Sequence, residues 1–77
     1  MTVYDRIEMN PDVMLGKPVI RGTRVTVELL VRKVAEGATE DVLLAAYPRL
    51  TREDIRAALR FAADMLAHEE VVLAPAV

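Results

Sequence analysis

The sequence predicts a mainly α-helical fold with a small N-terminal β segment: a tri-helical helix-turn-helix core preceded by a short β-hairpin. Two observations carry this prediction. Gly22-Thr23 separates two runs rich in β-branched residues, as a tight turn between strands does. Three amphipathic segments follow, each preceded by a threonine, and a connection containing Pro48 joins the last two. Two helices joined in this way after a first one outline a helix-turn-helix.

The length of 77 residues predicts one domain over residues 1–77. We expect the β segment and hairpin in residues 1–26, the three-helix core in 27–68 and a C-terminal tail or short strand in 69–77. Hydrophobic residues make up 53% of the chain, which is high for a domain with so little interior. Part of this apolar surface is therefore expected to be buried against a second copy, in a homodimer or larger assembly.

The composition also limits the class of protein. Cysteine is absent, which excludes disulfides and thiolate metal sites and suits the reducing cytoplasm, where we expect the protein. The longest apolar run, residues 42–47, is too short to cross a bilayer, so no membrane partner is expected. The net charge of -2 means that nucleic-acid binding has to depend on a local basic patch.

The β segment is expected to contain a short alternating stretch over residues 6–10, ended by the turn signal Asn10-Pro11. The hairpin then pairs Val19-Ile20 with the chain around Val25. Gly22 is placed at the first central position of its turn, where φ is positive and a Cβ is unfavourable.

The first helix is predicted from about Val27 to Glu36, between Thr26 as N-cap and Gly37 as a C-terminal stop. The second follows Thr39 and ends at Tyr47, because Pro48 disfavours helical geometry in the residue before it.

Thr51 is predicted to cap the third helix, with Asp54 completing a capping-box-like arrangement. This helix is expected to run to about His68, and residues 71–74 are a candidate final strand. Its predicted core stripe consists of Ile55, Ala58, Leu59, Ala62 and Leu66.

Arginines recur every four residues beside this stripe, and Arg52, Arg56 and Arg60 therefore form one line along the helix, which we call the arginine ridge. With Arg49 in the preceding connection, the ridge is a candidate DNA-binding surface, since cations on the last helix of such a core reach phosphates and bases. The alternative is a solvated face whose arginines pair with Glu53 and Asp64.

Two further surfaces are candidates for partner contact. Lys17, Arg21 and Arg24 surround the hairpin turn and could contact an anion or an acidic partner, or be simply solvated. Phe61 and Met65 form a second apolar strip away from both the core stripe and the arginines. We expect this strip to meet the hairpin or a partner subunit, and it is the candidate oligomer interface.

No residue pattern indicates catalysis, and we expect neither enzymatic activity nor a cofactor. The chain contains no Ser/His/Asp arrangement, phosphate-binding Gly loop or carboxylate pair with recognisable spacing. His68 is the one histidine, and its neighbours Glu69 and Glu70 point to different sides of a helix, so no metal site is predicted.

Most of the chain, from about residue 5 to 65, resembles the bacterial and archaeal family catalogued as domain of unknown function 433. That resemblance implies a homeodomain-like helical core after an N-terminal β segment, and some members are assigned as VapB-like antitoxins encoded beside a PIN-like ribonuclease toxin. The family has no agreed catalytic residues to carry over. The matching segments are Asn10-Pro11, Gly16-Lys17-Pro18-Val19-Ile20-Arg21-Gly22-Thr23-Arg24-Val25, Val27, Gly37, Tyr47-Pro48, Leu50-Thr51, Ile55, Ala58-Leu59 and Ala62.

Two functions follow as hypotheses. The first is a type II antitoxin, a dimer that binds operator DNA through the third helix and neutralises a PIN-like toxin protein. The second is a protein-interaction module that binds a partner without contacting DNA. The arginine ridge favours the first hypothesis, and the acidic overall balance favours the second.

Overall fold

The computed structural model describes residues 5–67, and their fold is mainly helical, as the sequence predicts. The candidate strand at 71–74, the tail 69–77 and His68 lie outside the described residues. A two-stranded antiparallel sheet precedes three helices, with a short 3₁₀ turn between the strands. The elements are β1 (Ile7–Glu8), the 3₁₀ turn (Met14–Gly16), β2 (Val19–Ile20), α1 (Val27–Ala35), α2 (Glu40–Ala46) and α3 (Arg52–Ala67).

The strand pairing includes the predicted hairpin contact and adds a second partner for β2. β2 pairs with β1, with Ile7 opposite Ile20, and the chain after the turn does not form a strand of its own. That chain contributes two hydrogen bonds, from the Ile20 amide to the Val25 carbonyl and from the Val27 amide to the Pro18 carbonyl, both at 2.9 Å, and they frame an isolated antiparallel bridge between Val19 and Thr26. Pairing stops there because Thr26 already caps α1: its hydroxyl accepts the Leu29 amide at 3.0 Å.

The turn after β2 also lies one residue earlier than expected. The Ile20 carbonyl accepts the Thr23 amide at 3.0 Å, so Arg21 and Gly22 are the central residues. Gly22 has φ +81° at the second central position, while Arg21 is not among the positive-φ residues, a combination typical of a type II turn. The predicted positive φ of Gly22 is therefore found, with a different register.

We expect Gly22→Val to lower the free energy of unfolding by about 1–3 kcal/mol, because a β-branched residue is strained at positive φ. No heavy atom lies within 4 Å of a Cβ added at Gly22, so backbone strain alone causes the loss. Thermal unfolding followed by circular dichroism measures it. A synthetic chain with D-alanine at this position is the control, since a D residue favours positive φ. Equal melting of the valine variant and the parent would contradict the turn assignment.

α1 ends in a Schellman motif. The Gly37 amide donates to the Val34 carbonyl and the Ala38 amide to the Lys33 carbonyl, both at 3.0 Å. Gly37 has φ +102°, which is why glycine suits this position. The helix stop predicted at Gly37 is thus seen in atomic detail.

The helix-turn-helix pair begins at Thr39, whose hydroxyl accepts the Val42 amide at 3.2 Å. α2 ends before Tyr47-Pro48, and the Leu50 amide closes a turn onto the Tyr47 carbonyl at 2.9 Å. At the start of α3 the capping box is complete. Thr51 accepts the Asp54 amide at 3.1 Å, and the Asp54 carboxylate accepts the Thr51 amide at 3.0 Å.

The core lies where α3 packs against α1, α2 and β1. Its orientation on α3 differs from the prediction, because Phe61 is buried with 4% exposure and Leu66 is 62% exposed. The inward face of α3 follows the line from Asp54 through Ala58 to Phe61. The buried residues of the core cluster are Ile7, Ile20, Val27, Leu30, Leu43, Leu50, Ile55, Ala58 and Phe61.

Candidate functional site

The arginine ridge lies on the outer face of the helix-turn-helix pair. Arg52, Arg56 and Arg60 are all exposed on α3, and Arg49 is exposed in the connection that precedes it. The geometry therefore brings the four predicted DNA-binding candidates to the surface of one structural unit. The capping box fixes the start of α3, and with it the direction in which this helix presents its first turns.

Two ridge arginines form ion pairs with acids from α2. Arg52 binds Glu40 at 3.1 Å through one terminal nitrogen and Asp41 through the other. Arg56 donates from Nε to the second Glu40 oxygen at 3.0 Å. These partners come from the first turn of α2 and not from Glu53 or Asp64 on α3. Spacing along one helix cannot reveal them.

The ion pairs persist at neutral pH. The Arg56 guanidinium, followed by that of Arg52, holds the pKa of the Glu40 carboxyl below its usual value. The Asp41 and Glu40 carboxylates raise the pKa of Arg52. Glu40 is therefore ionised and Arg52 protonated near neutrality, and the two α2 carboxylates lie close enough to Arg52 and Arg56 to balance most of their positive charge.

The three hairpin cations have different surroundings. Arg21 donates from Nε to the Asp5 carbonyl at 2.7 Å and reaches the Ile7 carbonyl at 3.3 Å, so it fastens the β1 segment. Lys17 is paired with Glu28 at 3.3 Å. Arg24 is exposed and has neither an ion pair nor a hydrogen bond from its side chain within residues 5–67.

A hollow separates the hairpin turn from the α2–α3 connection. Residues 22–25 and 47–49 line it together with Glu8 and Val13, and its volume is about 520 Å³. We call it the inter-loop hollow. It brings Arg24 and Arg49 to one cavity although 25 residues separate them in sequence.

An apolar groove of about 510 Å³ runs between α1 and the C-terminal half of α3. Met65 lines this groove and is 42% exposed, and its place in an oligomer interface stays a prediction. Phe61 also lines the groove, but its side chain belongs to the core of the same chain. The prediction that Phe61 lies off the core stripe is therefore wrong, because its side chain packs among the buried residues of the core cluster.

Two features gave no signal in the sequence. Met14 and Leu15 adopt positive φ angles of 48° and 59°, which is uncommon for such side chains, and Leu15 is 92% exposed. Arg6 forms a 3.0 Å ion pair with Asp54, which is 48 residues away and buried. Neither periodicity nor turn chemistry reports such long-range contacts.

Within residues 5–67, no three His, Cys, Asp or Glu side chains are grouped as metal ligands would be. No helix of this described part is both long and apolar enough to span a membrane.

Residues 7–62 match the family described as Protein of unknown function (DUF433). Uncharacterized protein y4eO of Sinorhizobium fredii is 41% identical over 56 residues, which are 73% of this chain and 25% of that protein. The crystal structure of a DUF433 member protein from Anabaena variabilis is similar with a TM-score of 0.77 and 38% identity, covering 82% of this chain and 62% of that one. The chain thus spans about a quarter of the first relative and under two thirds of the second.

Proposed function

We propose that this chain, which belongs to the DUF433 family, is a DNA-binding antitoxin. In this proposal a homodimer in the cytoplasm binds operator DNA through α3 and neutralises a PIN-like toxin by direct contact, without enzymatic activity. The observation that carries the proposal is the exposure of Arg49, Arg52, Arg56 and Arg60 on one helix-turn-helix pair.

The position of the arginines suits this role. In helix-turn-helix proteins the N-terminal part of the second helix contacts the major groove. Arg52 and Arg56 occupy that part of α3, and Arg49 lies just before it. A guanidinium group can bind phosphate or the edge of guanine through two hydrogen bonds.

DNA binding requires the ion pairs with α2 to rearrange. Ion pairs between exposed side chains typically contribute about 0–1 kcal/mol, so phosphate can replace Glu40 and Asp41 at small cost. Both carboxylates nevertheless remain close to the bound DNA, where they oppose a polyanion. The α2 acids should therefore weaken non-specific DNA binding.

We expect Arg52→Gln and Arg56→Gln each to flatten the slope of log K against log salt by up to about one unit, because each neutralised phosphate contributes about 0.9. Glu40→Gln should instead strengthen DNA binding, since it releases Arg56 and leaves Arg52 paired with Asp41 alone. Fluorescence anisotropy with promoter DNA at several salt concentrations measures these changes. Arg32→Gln is the control, because Arg32 lies on α1 and pairs with Glu28.

The second candidate function is the protein-interaction module that does not contact DNA. The observation that favours it is the charge balance of the ridge, where Glu40 and Asp41 neutralise two of the arginines. No binding of promoter DNA by the parent or by Glu40→Gln at low salt would reject the DNA-binding proposal in favour of this module.

The proposed homodimer is tested by sedimentation velocity on the same samples. A monomer mass at micromolar concentration would contradict it.

A further inference from the structure

We propose that the inter-loop hollow is a docking site for a segment of a partner protein in which a carboxylate side chain stands beside an apolar one. The two arginines of the hollow, Arg24 and Arg49, bind the carboxylate. This inference rests on the partner-binding half of the proposed function and names the surface and the chemistry of that contact.

The first argument is the availability of the two cations. Seven of the ten basic side chains contact a carboxylate or a backbone carbonyl within residues 5–67, whereas Arg24, Arg49 and Arg60 have no such partner there. Two of these three line the same hollow. The engaged side chains are Arg6, Lys17, Arg21, Arg32, Lys33, Arg52 and Arg56.

The second argument is that both walls are fixed before any partner binds. The Thr23 hydroxyl donates to the Ile20 carbonyl at 2.7 Å and accepts the Val25 amide at 3.0 Å, which holds the chain on both sides of Arg24. The Tyr47–Leu50 hydrogen bond holds the loop that carries Arg49. Two arginines mounted on fixed loops lose little backbone freedom on binding, and such preorganisation increases affinity.

The third argument concerns the kind of anion. Val13, Val25 and Pro48 line the hollow with Tyr47, so an apolar side chain gains from entering it. Glu8 also lines the hollow and repels a second negative charge. A single carboxylate next to an apolar residue fits this combination, whereas a nucleic acid brings a row of phosphates that an acidic wall disfavours.

The experiment titrates the ¹⁵N-labelled protein with a terminally blocked Leu-Glu-Leu peptide, which carries a single carboxylate, and follows the backbone amides by NMR. The matched ligand, Leu-Gln-Leu, lacks the carboxylate. We expect shifts confined to residues 22–25 and 47–50 with the acidic peptide, and at least about tenfold weaker binding for Arg24→Gln and for Arg49→Gln. Arg32→Gln is the control of equal charge change, and it should bind like the parent.

The side chains of Arg24 and Arg49 form no hydrogen bond or ion pair inside residues 5–67. Both variants should therefore have the melting temperature of the parent, and their peptide binding can be measured on folded protein. Equal binding of the two peptides, or shifts centred on α3, would overturn the proposal. Stronger binding of inorganic phosphate or of a DNA duplex at the same amides would overturn it in favour of a nucleic-acid site. The readout does not involve promoter DNA, so loss of operator binding and loss of peptide binding are separate results.

Discussion

Phe61→Ala should lower the free energy of unfolding by about 3–5 kcal/mol, the usual cost of removing a buried phenylalanine. Phe61 is 4% exposed and belongs to the core cluster, to which all three helices, both strands and Leu50 contribute. Small domains have about 5–15 kcal/mol in total, so the variant loses a large share of its stability. Chemical denaturation followed by circular dichroism gives the difference directly.

Met65→Ala is the matched control on the same helix. Met65 lies one turn after Phe61 and is 42% exposed, so its truncation should cost well under half as much. Truncation of Met65 should instead affect self-association, if the apolar groove is the dimer surface. A Phe61→Ala variant as stable as the parent and impaired in association alone would reverse this assignment and restore Phe61 to an interface.

The position of Phe61 shows that helical periodicity identifies a helix more reliably than it identifies the buried face of that helix. The pattern on α3 identifies the helix and its buried Ile55 and Ala58, but it centres the core stripe towards Leu66. The buried face of α3 is the one that contacts α1 and β1, and both of these elements are distant from α3 in sequence. Because several apolar residues surround α3, its own pattern permits more than one orientation.

Local chemistry was predicted more reliably. Thr26, Thr39 and Thr51 cap the three helices, and Gly37 ends α1, because each of these signals acts within a few residues. The turn at Gly22 is a local signal too, and the predicted pairing of β2 with the chain after it is found as the bridge between Val19 and Thr26. The second pairing of β2, with β1, is not predicted, because β1 lies before the 3₁₀ turn and no local signal in the sequence indicates this contact.

The candidate sites show the same difference between local features, which the sequence predicts, and long-range contacts, which it does not. The ridge on α3 was predicted because its spacing is local, but the acids that pair with Arg52 and Arg56 come from α2. Arg21, a predicted anion contact, donates its hydrogen bonds to the backbone carbonyls of Asp5 and Ile7. The inter-loop hollow joins two turns that are distant in sequence, so only the fold brings Arg24 and Arg49 together.

Asp54→Ala is expected to have the second largest effect on stability, about 2–3 kcal/mol, because Asp54 has two roles. Its carboxylate accepts the Thr51 amide in the capping box, a contact typically worth about 1 kcal/mol. The same carboxylate, 8% exposed at the residue level, binds Arg6 at 3.0 Å and so attaches the β1 segment to α3. A hydrogen bond to a charged group adds about 1.5–3 kcal/mol, and the half-exposed Arg6 side chain favours the lower end of this range.

Asp54→Asn separates the two roles. Asparagine keeps an oxygen that can accept the Thr51 amide but loses the charge that holds Arg6, so its melting temperature should lie between those of the parent and Asp54→Ala. Glu53→Ala, at the exposed neighbouring position, is the control and should change stability by less than about 0.5 kcal/mol. For a domain of this size, Asp54→Ala should lower the Tm by about 8–24 °C.

Hydrogen exchange adds a local measurement to this prediction. The Arg21 amide donates to the Arg6 carbonyl at 2.8 Å, so its protection reports on the attachment of β1. If Asp54 anchors β1, exchange at Arg21 should accelerate in Asp54→Asn more than exchange at the Leu30 amide in α1. Uniform acceleration at both amides would mean that Asp54 supports the whole domain and does not anchor β1 in particular. Unchanged exchange together with an unchanged Tm would show that the Arg6–Asp54 ion pair does not stabilise the fold.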